Sequence, residues 1–302
     1  MILFATVLLS ANCPLLQDAA LPPDVVVAHV SGSKRGEGVA ELNQRLGQVA
    51  PGYSVVVHDA STPLPPGAQG VTFLQGEGEF VGEGSQPLSL RIGDMVIHRS
   101  DGPSSIRTGD ELVSFVLPTD VMIDPDIPTL IRPDFDPRLT DRPGGCATDP
   151  GAYRRLLLTW NPERGPYVLH GFNCHRVRID DSFSHYHPVE GGFDEFYLVQ
   201  EAPAGARLIV SRRTSELLAG AVEAGDVDEL IRSIPLEAGQ LILIPRGVTH
   251  RGLGGAVIQV LAIPGFLPGQ EIPMDEAIRK VNGRFALIGD RALPVHDPAP
   301  KD

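Results

Sequence analysis

Cysteine is scarce here: three residues among 302, Cys13, Cys146 and Cys174, widely spaced, odd in number and without a CxxC pair. This argues against a disulfide framework and against a thiolate zinc site, and makes the reducing cytoplasm the expected location. Basic charge is also in short supply. Lys and Arg number 25 against 38 Asp and Glu, for a formal net charge of −13, whereas nucleic-acid binders need clustered cations to displace counterions. No nucleic-acid partner is expected. No run approaches the roughly 20 apolar residues that cross a bilayer, so no membrane partner is expected either. The apolar opening MILFATVLLSANC lacks a basic leader and a clean cleavage site, and reads as a buried strand in preference to a signal peptide.

Turn formers are plentiful, with 33 Gly and 28 Pro, and favour a β-rich chain with many reversals. The length suits two domains of ordinary size. Within residues 1–52 the run 25–30 is apolar, and residues 38–49 have the spacing of a short helix; the role of this region is not legible. From 53 to 117 come short β-like runs, YSVVVHD, GVTFLQGEGEF, PLSLRIGDMVIH and ELVSFVL, bounded by turn residues. Residues 118–151, repeatedly interrupted by Pro and Asp, are expected to be a linker laid along the surface. Strand rhythm then returns through 152–292 in YVLHGF, CHRVRID, DEFYLVQEA, ARLIVSRR, QLILIPRG and AVIQVLAIP. Residues 214–233 depart from it with helical apolar spacing, and the Pro-rich tail 293–302 is expected to be flexible. A faint repeat aligns GVTFLQGEGEF with EFYLVQEAPAGARL and LRIGDMVIH with LEAGQLILIP. The economical fold is all-β, with two related β-barrels and a few short helices.

The chemistry concentrates in the second half. In SHYHP, His185 and His187 stand two apart, so on a strand both imidazoles face one side. Glu195 opens the strand EFYLV, and His250 follows the Pro245-Arg246-Gly247 turn. An HxH, a carboxylate and a distant histidine together make a metal site the leading reading of all four. Glu190, two residues past the HxH, is the rival carboxylate.

At these residues the sequence resembles the cupin superfamily, whose motifs are HxH with a later Glu, and G(x)5PxG(x)2H. The second is matched without a gap by Gly239, Pro245, Gly247 and His250. The first is matched by His185, His187 and Glu195, with seven residues before the Glu where the family usually has three or four; DEFYLV resembles the family's strand start and favours Glu195 over Glu190. The resemblance implies a bicupin: two jelly-roll β-barrels, the C-terminal one binding metal, the N-terminal one degenerate. In the N-terminal copy Gly93 takes the place of Gly239, but the position matching His250 is Ser104. His58 and His98 are accordingly expected to pack and not to ligate.

Three imidazoles and a carboxylate suit one divalent transition metal, Fe(II) first, with Mn, Ni, Zn or Cu as alternatives, and exclude a calcium-like site. Four protein ligands leave positions for substrate or dioxygen. The resemblance therefore implies a non-haem metal dioxygenase acting on a small enol- or carboxylate-bearing substrate. A metal-dependent isomerase or lyase that polarises a carbonyl comes second, and a non-catalytic ligand-binding cupin third. Tyr197 shares the strand parity of Glu195 and is the candidate proton donor. Arg176 and Arg178 are candidate carboxylate clamps if their face of the strand looks inward, and Gln259 is a further pocket candidate. Cys174 reads as a buried packing residue. A small-molecule substrate is the expected partner, and a homodimer is left open. The segment 214–233 is expected to cover or border the mouth of the metal barrel.

Overall fold

Alternating apolar residues between Gly- and Pro-rich turns give the N-terminal half its strands. The computed structural model describes residues 21–62, 64–82, 86–100, 106–109 and 111–297; the strand expected at the N-terminus, Cys13 and Ser104 lie outside them. Strand β1 (Val26–His29) precedes helix α1 (Val39–Val49), whose Leu42 and Leu46 lie one turn apart and are fully buried. Then come β2 (Ser54–His58), β3 (Gln69–Leu74), β4 (Gly78–Phe80), β5 (Leu88–Leu90), β6 (Met95–His98), β7 (Ile106–Gly109), β8 (Leu112–Leu117) and β9 (Leu130–Ile131). An antiparallel sheet in the order β2-β8-β3-β6-β9 shares a small core with the sheet β5-β4-β7, filled by Leu74, Phe80, Leu90, Val96, Ile106 and Leu112.

The C-terminal half comprises β10 (Arg154–Leu158), β11 (Asn173–Asp181), β12 (His185–Tyr186), β13 (Asp194–Glu201), β14 (Arg207–Ser211), α2 (Thr214–Ala219), β15 (Arg232–Pro235), β16 (Gln240–Ile244), β17 (Thr249–Ile263), β18 (Ile272–Pro273) and α3 (Asp275–Arg284). Its main path runs β1-β16-β13-β17-β11-β10. The N-terminal β1 thus belongs to the second barrel, antiparallel to β16 with Val26 opposite Leu243. YVLHGF, expected to be a strand, contributes only a bridge between Val168 and Thr159, and Arg154–Leu158 supplies the strand instead. The internal repeat is realised strand for strand: β3 lies between β6 and β8 as β13 lies between β16 and β17.

The two barrels share one apolar interface. Along β13, Phe196 and Leu198 face it, while Tyr197 and Val199 face the interior of the second barrel; a strand buried on both sides reads as a continuous apolar run. Phe115 of β8 sits edge-on to Phe172 and Phe196, with centroids 5.5 and 5.6 Å apart. Burial of each such ring contributes about 1.5–3 kcal/mol.

Two expectations are corrected here. The 118–151 segment is more than a surface linker: Leu130 and Ile131 pair with β6, and Ile127, Ile131 and Leu139 are buried in the inter-barrel core. The tail expected to be flexible is docked over residues 293–297, where Leu293 is buried, the His296 amide donates to Asp275 and Asn282 caps the Leu293 backbone. Its last residues, 298–302, are outside the described set.

Candidate metal centre

The register of the second barrel sets the site. His185 on β12 pairs directly with His250 on β17, so two residues 65 positions apart become cross-strand neighbours. The turn before His250 is closed by Val248 donating to Pro245 O at 3.2 Å, and the Gly247 amide donates to His187 O at 2.6 Å. Gly247 has φ +86, a left-handed backbone conformation that favours glycine. Arg246 fastens the same turn to the start of β13 through Asp194, with Nε and the backbone amide each 2.9 Å from Oδ1.

These elements bring His185, His187, Glu195 and His250 together. All four are buried, and one donor atom from each lies within 4.8 Å of the others. Glu190 is exposed in the loop and outside the cluster. The imidazoles are oriented from behind. Nδ1 of His185 is 3.2 Å from Phe183 O and Nδ1 of His250 is 3.1 Å from Val248 O; a carbonyl only accepts, so each Nδ1 carries the proton and each Nε2 turns a lone pair inward. His187 stacks on Phe193 at 4.0 Å.

The donor set fits a metal ion. Nε2 of His185 and both ring nitrogens of His187 are buried without any partner, a costly arrangement unless something else meets them. Burial holds His185 and His250 at about 4 and His187 well below the usual histidine range, leaving all three neutral and ready to ligate near pH 7. Glu195 is pushed up to about 7 by burial, opposed by His185 and Arg154, and its Oε2 lies 2.8 Å from His250 Nε2.

No family model matches this sequence, and no curated protein matches it. Solved structures do match in part. An oxalate decarboxylase from Bacillus subtilis is 12% identical over 82% of this chain and 78% of its own, with a TM-score of 0.41. A protein from Planctomyces limnophilus is 22% identical over 49% of this chain and 97% of its own, with a TM-score of 0.32. A mannose 6-phosphate isomerase from Bacillus subtilis is 17% identical over 37% and 48%, with a TM-score of 0.30. The chain's own geometry is more telling: the HxH and PxGxxH motifs close on one point inside one barrel, and the repeat builds a second. The fold is all-β, with two antiparallel barrels and, in the second, a His/Glu cluster that fits a cupin metal site.

Beside the ligand cluster, bordering Glu195, lies a small, narrow cavity. Arg154, Leu156, Trp160, His175, Phe266 and Glu271 are among the residues that line it. Trp160 and Phe266 form an aromatic wall, 4.2 Å between centroids. Burial raises Glu271 above the usual carboxylate range, with Glu195 adding to the shift and His185 and Arg154 opposing it. Tyr197 is fully buried with an unpartnered hydroxyl, edge-on to His250 at 6.4 Å. Cys146, 3.5 Å from His175 Nε2, is raised to about 12 by burial and stays a thiol.

The other expected pocket residues stand elsewhere. On β11 it is Val177 and Ile179 that face the barrel core, so Arg176 and Arg178 point away from the ligand cluster. The face they occupy is not simply solvated: Arg176 is buried, donating to Gln200 at 2.7 Å, Asp134 at 2.9 Å and Tyr153 at 2.5 Å. Arg178 reaches Gly255 O at 3.1 Å. Gln259 is buried between the barrels and donates to Gly93 O, and Cys174 packs in the inter-barrel core. In the N-terminal barrel His58 is 2.7 Å from Ser114 Oγ, and burial holds His98 near 4. The residues that sequence reasoning missed, Arg154 and Glu271, carry a faint signal only in the first case: RRLLL alternates so that Arg154 and Leu156 share a face.

Around the other end of the cluster, the 214–233 segment forms α2 and a 3-10 turn. Leu217, Val222, Val227 and Leu230 pack there against Met274, Ile278 and Val281, next to Tyr186 of β12. Among the described residues no helix is long and apolar enough to cross a membrane.

Proposed function

We propose that this bicupin is a metal-dependent enzyme that transforms a small carboxylate- or enol-bearing substrate at the Glu195 side of its ligand cluster. The observation that carries this reading is a complete, buried donor set, His185, His187, Glu195 and His250, opening on a small cavity that also holds Arg154 and Glu271. Four ligands of this kind suit Fe(II), Mn, Ni, Zn or Cu. A bound ion would supply Lewis-acid polarisation of a substrate oxygen and an open coordination position.

The rest of the chemistry falls to the chain. Glu271 has an acidity weakened by burial, which brings its proton exchange nearer to neutral pH. That observation favours an isomerase or lyase reaction, with Glu271 moving the proton and Tyr197 as a second donor. Dioxygenation is the second reading, favoured by the wall of Leu156, Leu158, Trp160 and Phe266, which keeps water away from a reactive complex. One experiment separates them: metal-loaded protein is given 2-oxo acids and enols in an oxygen electrode and, in parallel, anaerobically in D2O. Conversion with deuterium incorporation and no oxygen uptake is the expected result. Oxygen consumption matched to substrate loss would establish the dioxygenase reading, and no conversion of any kind would leave a ligand-binding cupin.

A further inference from the structure

Arg154 is an arginine whose placement the fold has not explained. It stands opposite Val177, a core residue of the metal barrel, and lines the cavity with Glu195. Its Nη1 donates to Arg142 O at 3.2 Å, whereas its Nε is buried with no partner at all. Among the described residues no carboxylate forms an ion pair with it. Buried Arg176 and Arg251 pair with Asp134 and Asp181, and Arg246 pairs with Asp194. Glu195 and Glu271 lie near enough to feel its charge but not within ion-pair distance, so the Nε edge of this cavity-lining guanidinium is open to a ligand. An unmet buried donor costs about 1–3 kcal/mol, and more when charged.

We propose that Arg154 anchors the carboxylate of a short 2-oxo or 2-hydroxy acid through its Nε and Nη2 edge, with the acid's second oxygen directed to the Glu195 side of the ligand cluster. This deepens the metal-enzyme reading and rests on it for the role of the second oxygen. With Nη1 engaged by Arg142, the Nε and Nη2 edge has the planar fork that a carboxylate matches with two parallel bonds. The guanidinium lies against the chain that crosses between the barrels: a Cβ on Gly144 would be 3.5 Å from its Nη1, and one on Gly145 would be 3.4 Å from both its Nη2 and Glu271 Oε1. The cavity beside the guanidinium is narrow, which limits the ligand to the shortest acids. Arg176 and Arg178, on the far face of β11, have no access to it.

Calorimetric titration of manganese-loaded protein with pyruvate, and with its neutral counterpart pyruvamide, tests the assignment. A bidentate charge-assisted pair worth about 1.5–3 kcal/mol corresponds to roughly 10–100-fold in affinity. Arg154→Gln should weaken pyruvate by that factor and leave pyruvamide within threefold. Arg154→Lys, which keeps the charge and loses the fork, should fall between. Metal content and melting temperature measured on the same samples show that fold and ligand cluster persist. Pyruvate binding within threefold of wild type in Arg154→Gln would overturn the proposal, as would a wild type that binds none of pyruvate, glycolate and lactate. A wild type that retains no metal would remove the metal-enzyme reading instead, and the carboxylate dependence on Arg154 would then be decided by the same titration on the metal-free chain.

Discussion

Gln259 on β17 donates from Nε2 to the carbonyl oxygen of Gly93, 3.1 Å away in the other barrel, and accepts from Cys174 Sγ at 3.3 Å. This polar stitch lies within the apolar inter-barrel core, next to Arg176, which rests so close to Gly93 that a Cβ there would come 2.7 Å from its Nε. Gln259→Leu strands the Gly93 carbonyl and should cost about 1–3 kcal/mol in urea unfolding. Metal content should not change, because the residue serves the joint between barrels and not the cavity.

The carboxylate assignment has a direct comparison. Glu195→Gln removes a buried donor from the cluster, whereas Glu190→Gln alters an exposed loop residue. Metal retained after dialysis should fall strongly in the first variant and stay at the wild-type level in the second. The reverse order would mean that the loop 188–193 rearranges around the ion.

The helical segment 214–233 makes a separate prediction. Leu230 is 1% exposed and packs with Leu217 against Ile278 and Val281, so Leu230→Ala should destabilise this cluster by about 2–5 kcal/mol. Hydrogen exchange should then rise in α2 and α3 while the strands of the metal barrel stay protected. With metal content intact, a changed KM or kcat would show that the segment governs access, and unchanged kinetics would make it structural only.

His98 gives the stability a pH dependence of known sign. Burial, with His58 nearby, holds it near 4 in the folded chain, against 6.5 for an unperturbed histidine. Above pH 6.5 both states are neutral there and nothing is lost. As pH falls from 6.5 towards 4 the unfolded chain takes up a proton that the folded chain refuses, and stability declines by on the order of 2 kcal/mol. His98→Gln should reduce the difference between urea midpoints at pH 7 and pH 5 relative to wild type. An unchanged difference would show that His98 is not protected from protonation.

Much of this architecture could be read from the chain because it depends on local patterns. HxH on a strand, the Pro245-to-His250 turn and the apolar run EFYLV each declare their geometry within a few residues. What could not be read depends on which face meets which neighbour. On β11, alternation shows that Arg176 and His175 oppose one another, but either face could have been the inner one. The usual inference that charged faces are solvated also fails, because a second barrel covers this face and satisfies Arg176 with Asp134, Gln200 and Tyr153. Glu271 was illegible for a different reason. It reaches the site because β18 pairs with β12, where His185 faces Pro273, a contact across more than 80 residues with no periodic pattern to announce it. The exchange of β1 onto β16 is hidden in the same way.

The central claim, that His185, His187, Glu195 and His250 hold one divalent transition metal, is tested most directly by elemental analysis of the purified protein beside His187→Ala and His250→Ala. The account predicts about one ion per wild-type chain and near-complete loss in both variants, with the melting temperature in the presence of a chelator similar across all three. Undiminished metal in both variants would contradict it.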